Sequence, residues 1–328
     1  MDSKKLKSFI SNNAIVIFLV ILTLYVGFTK AGFFASKNLM NIAANVAPRF
    51  IIALGVSGCL ITRGTDLSAG RMVGLGGVVA ATMLQRADYS DRFALTAGLP
   101  QLPLIVVFVI ILAMTAVFGF ANGCVATYLN VPPFLGTLGM QTIVYGINLV
   151  YSGATPIGGL REDYTAVSSG SIFGIRYLFF IALAMGLIWY FMYNHTRYGK
   201  YMYAIGGNPA AAEVSGINVT KMLLRIYTNA GIMYGFAGFL LAAKAGGASV
   251  NLGLGYELEA IAAATIGGVS TTGGIGTVPG VLLGVLVFEL LKTCMQFLGI
   301  DTSYQYIVQG LVIIIAVALD IRKYSVKK

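Results

Sequence analysis

The sequence predicts an all-α polytopic membrane protein of about ten transmembrane helices, some of them broken, with one short helix in a cytoplasmic loop. Three observations lead there. Hydrophobic residues fill 57% of the 328 positions and charged residues 10%, where a soluble domain carries about 25% charged. Charge-free apolar runs recur at residues 8–29, 50–62, 72–85, 93–160, 177–196, 226–243, 260–288 and 302–319, and several reach the roughly 20 residues that cross hydrocarbon. Basic residues gather at the ends of those runs and form no stripe, so the net charge of +10 reads as positive-inside placement with no nucleic acid as partner.

Charge placement orients the chain. Lys4, Lys5 and Lys7 precede the first run, Arg322, Lys323, Lys327 and Lys328 follow the last, and Arg197, Lys200 and Lys221 mark a central loop. All three regions are expected on the cytoplasmic side, which six crossings before the loop and four after it satisfy. The loops left outside balance their bases with Asp88, Asp91, Glu162 and Asp163. An uncleaved first anchor serves such a chain better than a cleavable signal peptide.

Taken in order, the spans fall at residues 13–28, 46–62, onward from 72, 103–129, 134–151, 177–194 and 223–243. Residues 260–288 then hold two helices, and residues 304–319 the last. The second and third runs each stop short of a full span at Arg63-Gly-Thr-Asp-Leu-Ser-Ala-Gly-Arg71, which places an irregular break within the thickness of the membrane. Residues 260–288 are too long for one crossing and hold Gly267, Gly268, Gly273, Gly274, Gly276 and Gly280, so a second glycine-rich break is expected there. Two breaks in corresponding halves hint at an internal repeat with interrupted helices. Close helix packing also selects glycine.

Catalytic chemistry finds little to stand on. His195 is the single histidine, no Ser or Cys arrangement with a base accompanies it, and Cys59, Cys124 and Cys294 have no CxxC spacing. No metal site, cofactor or enzymatic role is expected. A GxxxxGK[ST] loop is absent, so ATP-driven transport would need its ATPase on another polypeptide.

The loop at residues 196–218 carries the densest signal. Asn208 suits an N-cap, Pro209 the first helical position, the alanines at 210–212 the interior and Gly216 the left-handed C′ position. A helix of about two turns cannot stand alone. It either docks Ala211, Ala212 and Ser215 into a groove on a partner or lies against its own protein.

The segment GGNPAAAEVSGI at 206–217, with GTDLSAG at 64–70, YELEAIAA at 256–263 and GGVSTTGGIGT at 267–277, resembles the sugar-type ABC importer permeases over about residues 38–323. The resemblance implies one permease domain (1–328) in a bacterial inner membrane and a hexose as cargo, galactose or a methyl-galactoside first and ribose or a nucleoside next. It also implies a second permease copy, a cytoplasmic ABC ATPase subunit and a sugar-binding protein outside. Gly206, Gly207, Asn208, Pro209, Ala211, Ala212, Glu213, Ser215 and Gly216 match the family's ATPase-coupling loop, and Asp66, Leu67 and Ser68 its Asp-Leu-Ser signature.

The remaining polar residues each have two readings. Asp66 or Ser68 caps the following helix or lines the path. Asn122 and Asn148 meet cargo hydroxyls or bridge helices. Glu257 and Glu259 are candidates for the translocation path or lie at a span entrance facing water, and Glu289 pairs with Lys292 at i, i+3. An ion-coupled secondary transporter with Asp66 as its titrating group is the rival mechanism.

Overall fold

A computed structural model describes residues 14–325; Lys4, Lys5, Lys7, Lys327 and Lys328 lie outside that range. Each expected span falls on a helix: α1 (Ala14–Thr29), α2 (Ser36–Ile61), α3 (Ala69–Met83), then a short α4 (Ala94–Ala97), α5 (Leu104–Thr127) and α6 (Pro133–Ser152). A short α7 (Glu162–Ser169) and the hairpin β1 (Ser171–Ile172) and β2 (Ile175–Arg176) lead into α8 (Tyr177–His195). Then come α9 (Arg197–Gly207), α10 (Pro209–Val214), α11 (Val219–Ala245), α12 (Tyr256–Ile266), α13 (Val278–Phe297) and α14 (Thr302–Ser325). Among the described residues, α2, α5, α8, α11 and α13 are individually long and apolar enough to cross a membrane.

The hairpin pairs Ser171 with Arg176 and Ile172 with Ile175 in antiparallel register, around Phe173 and Gly174 at φ of +52° and +80°. Two consecutive positive φ values make the mirror-image turn that matches strand twist. Before α14, the hydroxyl and N–H of Ser303 hold the exposed Asp301 carboxyl below its ordinary value.

α2 forms the axis of the molecule, nearly all of its apolar length buried. Around it stand α11, α12, α13 and α8, and α11 in turn packs against α3 and α5. The α5–α11 pair closes through small residues. A Cβ on Gly119 would stand 2.3 Å from the Tyr227 carbonyl oxygen, and one on Gly231 2.3 Å from that of Thr115. Backbones approach this closely only where both faces lack side chains. Outward surfaces are apolar instead, with Val109, Val117 and Phe120 on α5, Leu183 and Leu187 on α8, and Ile307 and Ile314 on α14 all exposed.

Loops define two ends. At one, Arg86 N–H donates to Gly159 O (2.8 Å), Arg161 N–H to Leu84 O (2.9 Å) and Ile157 N–H to Ala248 O (2.8 Å). At the other, the turn after α2, the α9–α10 junction and the glycine-rich turn after α12 meet. α2 connects the two ends, about 39 Å for 26 residues at 1.5 Å each.

That length corrects the expectation for the first break. The polar residues 36–45 are helical and extend the apolar run from 46, so α2 is a full-length helix and the break follows its end. The expected shortness survives in α3 and α12, with 15 and 11 residues, about 22 and 16 Å.

Replacing Gly231 by Leu is expected to force α5 and α11 apart and destabilise the fold by about 1 to 3 kcal/mol. Thermal unfolding in detergent checks it, with Gly139→Leu, at a position with no neighbour within 4 Å, as the comparison.

Candidate functional site

The turn at residues 62–68 buries a knot of polar side chains. Asp66 has no exposed surface, and neither has Ser68. Ser68 donates its N–H and its hydroxyl to Asp66 Oδ1 (2.9 and 2.5 Å), and the Tyr234 hydroxyl donates to Asp66 Oδ2 (3.2 Å). Asn122 Nδ2 donates to Ser68 Oγ (2.9 Å), and Leu67 N–H donates to Thr137 Oγ1 (3.1 Å). One aspartate thus ties the start of α3 to α5 and α11, while Leu67 ties it to α6.

Of the two readings of Asp66 and Ser68, simple capping fails. Ser68 is the N-cap of α3, yet its side chain makes no capping bond, because its hydroxyl is committed to Asp66. Asn122 bridges helices, as one reading holds, and its Oδ1 is buried without a hydrogen-bond partner. Asn148 lies across α3, its Nδ2 3.7 Å from the Cβ position of Gly74, with its own Oδ1 buried and unpartnered.

Glu257 and Glu259 depart from expectation. Glu257 is buried with Oε2 over Gly70, at 2.0 Å from where a Cβ there would stand. Glu259 is nearly enclosed, forms an ion pair with Arg49 Nε (2.8 Å) and accepts from Lys292 Nζ (3.5 Å). Neither faces water, since α12 begins four residues earlier than its apolar run and carries both glutamates into the bundle. Glu289 takes Arg49 Nη1 (2.8 Å) and Asn45 Nδ2 (2.5 Å), so the expected Glu289–Lys292 pair does not form. Each side chain reaches another helix.

Arg49, unforeseen in the sequence reading, is the hub of this cluster. It links α2 to both α12 and α13, with its guanidinium 5.3 Å from the centre of the Tyr256 ring. A lone arginine four residues after Asn45 within a buried helix was the available signal. Next to it, Lys244 donates to Asn45 Oδ1. A polar cavity of about 290 Å³ opens here, lined by Asn38, Asn41, Asn45, Arg176, Lys244 and Thr293. Asn38, Asn41 and Asn45 share one face of α2 at i, i+3 and i+7.

At the other end of α2, α10 forms as its punctuation predicts. Asn208 Oδ1 accepts the Ala211 N–H (3.1 Å), and Pro209 takes the first position. Gly216 at φ +84° permits two closing bonds, Gly216 N–H to Glu213 O (2.9 Å) and Ile217 N–H to Ala212 O (3.1 Å), which together make a Schellman motif. Ala212 is 4% exposed and packs on the chain itself, so the outward face consists of Ala210, Ala211, Glu213, Val214 and Ser215. Val214, 91% exposed, is its most exposed apolar side chain and had no place in the sequence reading. The preceding helix α9 was likewise unforeseen.

Asp66, Leu67, Ser68 and Asn122 therefore converge, with Glu257 and Asn148 beside the adjoining α3, whereas the 206–216 set forms a separate surface. A profile described as the branched-chain amino acid transport system / permease component matches residues 38–317. The chain belongs to that permease family.

Among curated members of this permease family, the galactose/methyl galactoside import permease protein MglC of Escherichia coli (strain K12) is 44% identical over 100% of this chain and 99% of its own length. The corresponding protein of Haemophilus influenzae is 44% identical over 99% of both. The ribose import permease protein RbsC of Escherichia coli (strain K12) is 32% identical over 97% of this chain and 96% of its own. No solved structure matches.

Replacing Asp66 by Ala strands the Ser68 and Tyr234 donors in the core, and a loss of about 3 kcal/mol is expected. Asp66→Asn keeps an acceptor oxygen and is expected to lose about half of that; chemical denaturation followed by tryptophan fluorescence separates the two. Arg49→Met leaves Glu259 and Glu289 short of a partner and is expected to cost about 3 to 5 kcal/mol, with Glu259→Gln and Glu289→Gln added together recovering most of it.

Proposed function

We propose that this chain is the membrane-spanning subunit of an ATP-driven importer of galactose or methyl-galactosides, working by alternating access. The observation that carries the reading is full-length 44% identity to the galactose/methyl galactoside permease, against 32% for the ribose permease. The reading has about ten crossings, and positive-inside placement puts both termini and the loop with Arg197 and Lys200 in the cytoplasm of a bacterial inner membrane. The permease works with a second copy of itself, an ATPase subunit below and a sugar-binding protein above.

Geometry supports the division of labour. α10 presents a capped, outward face with an exposed valine, suited to a groove on a soluble partner. The polar cavity lies at the opposite end of α2, where cargo enters an importer. Its amides and hydroxyl can both donate to and accept from sugar hydroxyls, and its volume sits near the lower limit of ligand sites. The glycine-rich breaks lie beside α10, where movement of a docked partner would reach them first.

Uptake of labelled galactose into proteoliposomes holding this chain with its ATPase and sugar-binding protein tests the reading. ATP-dependent accumulation outcompeted by methyl-galactoside in preference to ribose is expected; uptake driven by a proton or sodium gradient without ATP refutes it. Val214→Asp removes the apolar contact of α10, and ATPase capture is expected to fall about tenfold or more without a change in unfolding temperature. Undiminished capture by that variant rules out α10 as the docking element.

A further inference from the structure

Three segments far apart in sequence meet behind α10. Arg63 lies in the turn after α2, Gly206 and Gly207 end α9, and Gly273 and Gly274 lie in the turn between α12 and α13. Arg63 donates from Nε to Gly206 O (2.8 Å) and from Nη2 to Gly207 O (2.5 Å). These carbonyls are among the last of α9, which have no partner within the helix and carry the negative end of its dipole. A planar guanidinium satisfies both at once.

A second tie runs from backbone to backbone, Gly274 N–H donating to Ile61 O (2.8 Å). It leaves no room for side chains. A Cβ on Gly206 would stand 1.9 Å from Ile61 O and 2.5 Å from Gly274 N. The Tyr203 hydroxyl adds a third bond, to Gly276 O (2.8 Å).

Arg63 also holds the left-handed conformation, φ +63°, which costs an ordinary residue about 1 to 2 kcal/mol. The turn maintains it through Arg63 N–H to Leu60 O (2.9 Å) and Gly64 N–H to Cys59 O (2.8 Å). Three residues further on, the same turn delivers Asp66 to the knot that joins α3, α5 and α11. Two sets of hydrogen bonds, joined by short stretches of backbone, therefore connect Asn208 at the start of α10, through the Gly206 and Gly207 carbonyls and Arg63, with Asp66, Ser68, Asn122 and Tyr234.

We propose that Arg63 is the positioning residue through which displacement of α10 reaches both interrupted regions, its two bonds to the end of α9 moving the first turn and the Gly274–Ile61 tie carrying the second along. The inference rests on the reading of α10 as the ATPase-docking element. A structural cap on α9 alone would affect stability and assembly; a transmitting residue affects how much sugar moves per ATP hydrolysed.

The test uses the complete importer, permease with ATPase and sugar-binding protein, in proteoliposomes. ATPase capture and sugar transported per ATP are measured together. Arg63→Ala is expected to capture the ATPase subunit as the unsubstituted chain does, while sugar moved per ATP falls about tenfold or more, the least that loss of one charge-assisted bond implies. Arg63→Lys, a single point donor, is expected to recover part of that loss. Gly274→Ala, strained at φ +78° and within 3.0 Å of Gly207 N, is expected to lower the ratio with Arg63 intact. A ratio within about twofold of the unsubstituted value in Arg63→Ala, or in both other variants where Arg63→Ala does not accumulate, overturns the proposal. If the unsubstituted chain itself captures no ATPase subunit, the docking reading falls and the transmission role with it; intact capture with unchanged coupling removes the transmission role alone.

Discussion

A buried peptide group needs a hydrogen-bond partner, and the two glycine-rich interruptions find theirs within the protein. The turn after α2 does so locally, with Thr62 N–H bonding back to Gly58 O and Cys59 O and Gly64 N–H to Cys59 O. The longer turn after α12 folds on itself through Ser270 N–H to Ile275 O (3.0 Å), then reaches across to Ile61 O through Gly274. Each break supplies what the other lacks. They lie side by side at one end of α2 for that reason, and the glycines at 206, 273 and 274 are the residues that let three backbones come so close.

Charge obeys the same economy of partners. Arg49, Lys292, Glu259 and Glu289 stand among apolar helices, and each reaches a helix other than its own. Removing one member strands the rest in a medium that cannot solvate them, so the cluster specifies the arrangement of α2, α12 and α13 more than it stabilises it. At the same end, the amides of Asn38, Asn41 and Asn45 keep a cavity polar inside an otherwise oily wall. The opposite end exposes α10, with its caps complete and its valine outward.

Much of the architecture was readable in advance, for identifiable reasons. Apolar length marked where helices lie, because desolvating a backbone demands the same helical solution whatever surrounds it. Asn208, Pro209 and Gly216 marked α10 because caps act over a few bonds of the same chain. The same logic explains the failures. Glu289 and Lys292 at i, i+3 read as a pair, yet Arg49 and Glu259 from other helices outcompete the local contact. Residues 36–45 read as a polar lead-in, yet they are helical because their asparagines face a cavity and Arg176, which no local pattern discloses. Ala212 read as part of an outward face, and its burial depends on which side of α10 the rest of the chain occupies.

The sequence by itself determined that the chain lies in a membrane, where most of its long apolar helices run, which glycine-rich segments interrupt them and how its short loop helix begins and ends, since composition, periodicity and capping act within a few residues. Tertiary structure alone decided that α2 is the axis, that Asp66 is locked by Ser68 and Tyr234, that Arg49 gathers two glutamates and that Arg63 binds the end of α9. Those contacts join segments up to 240 residues apart, and their partners are chosen by which buried groups would otherwise go unsatisfied, a property of the packed bundle and of no single stretch of it.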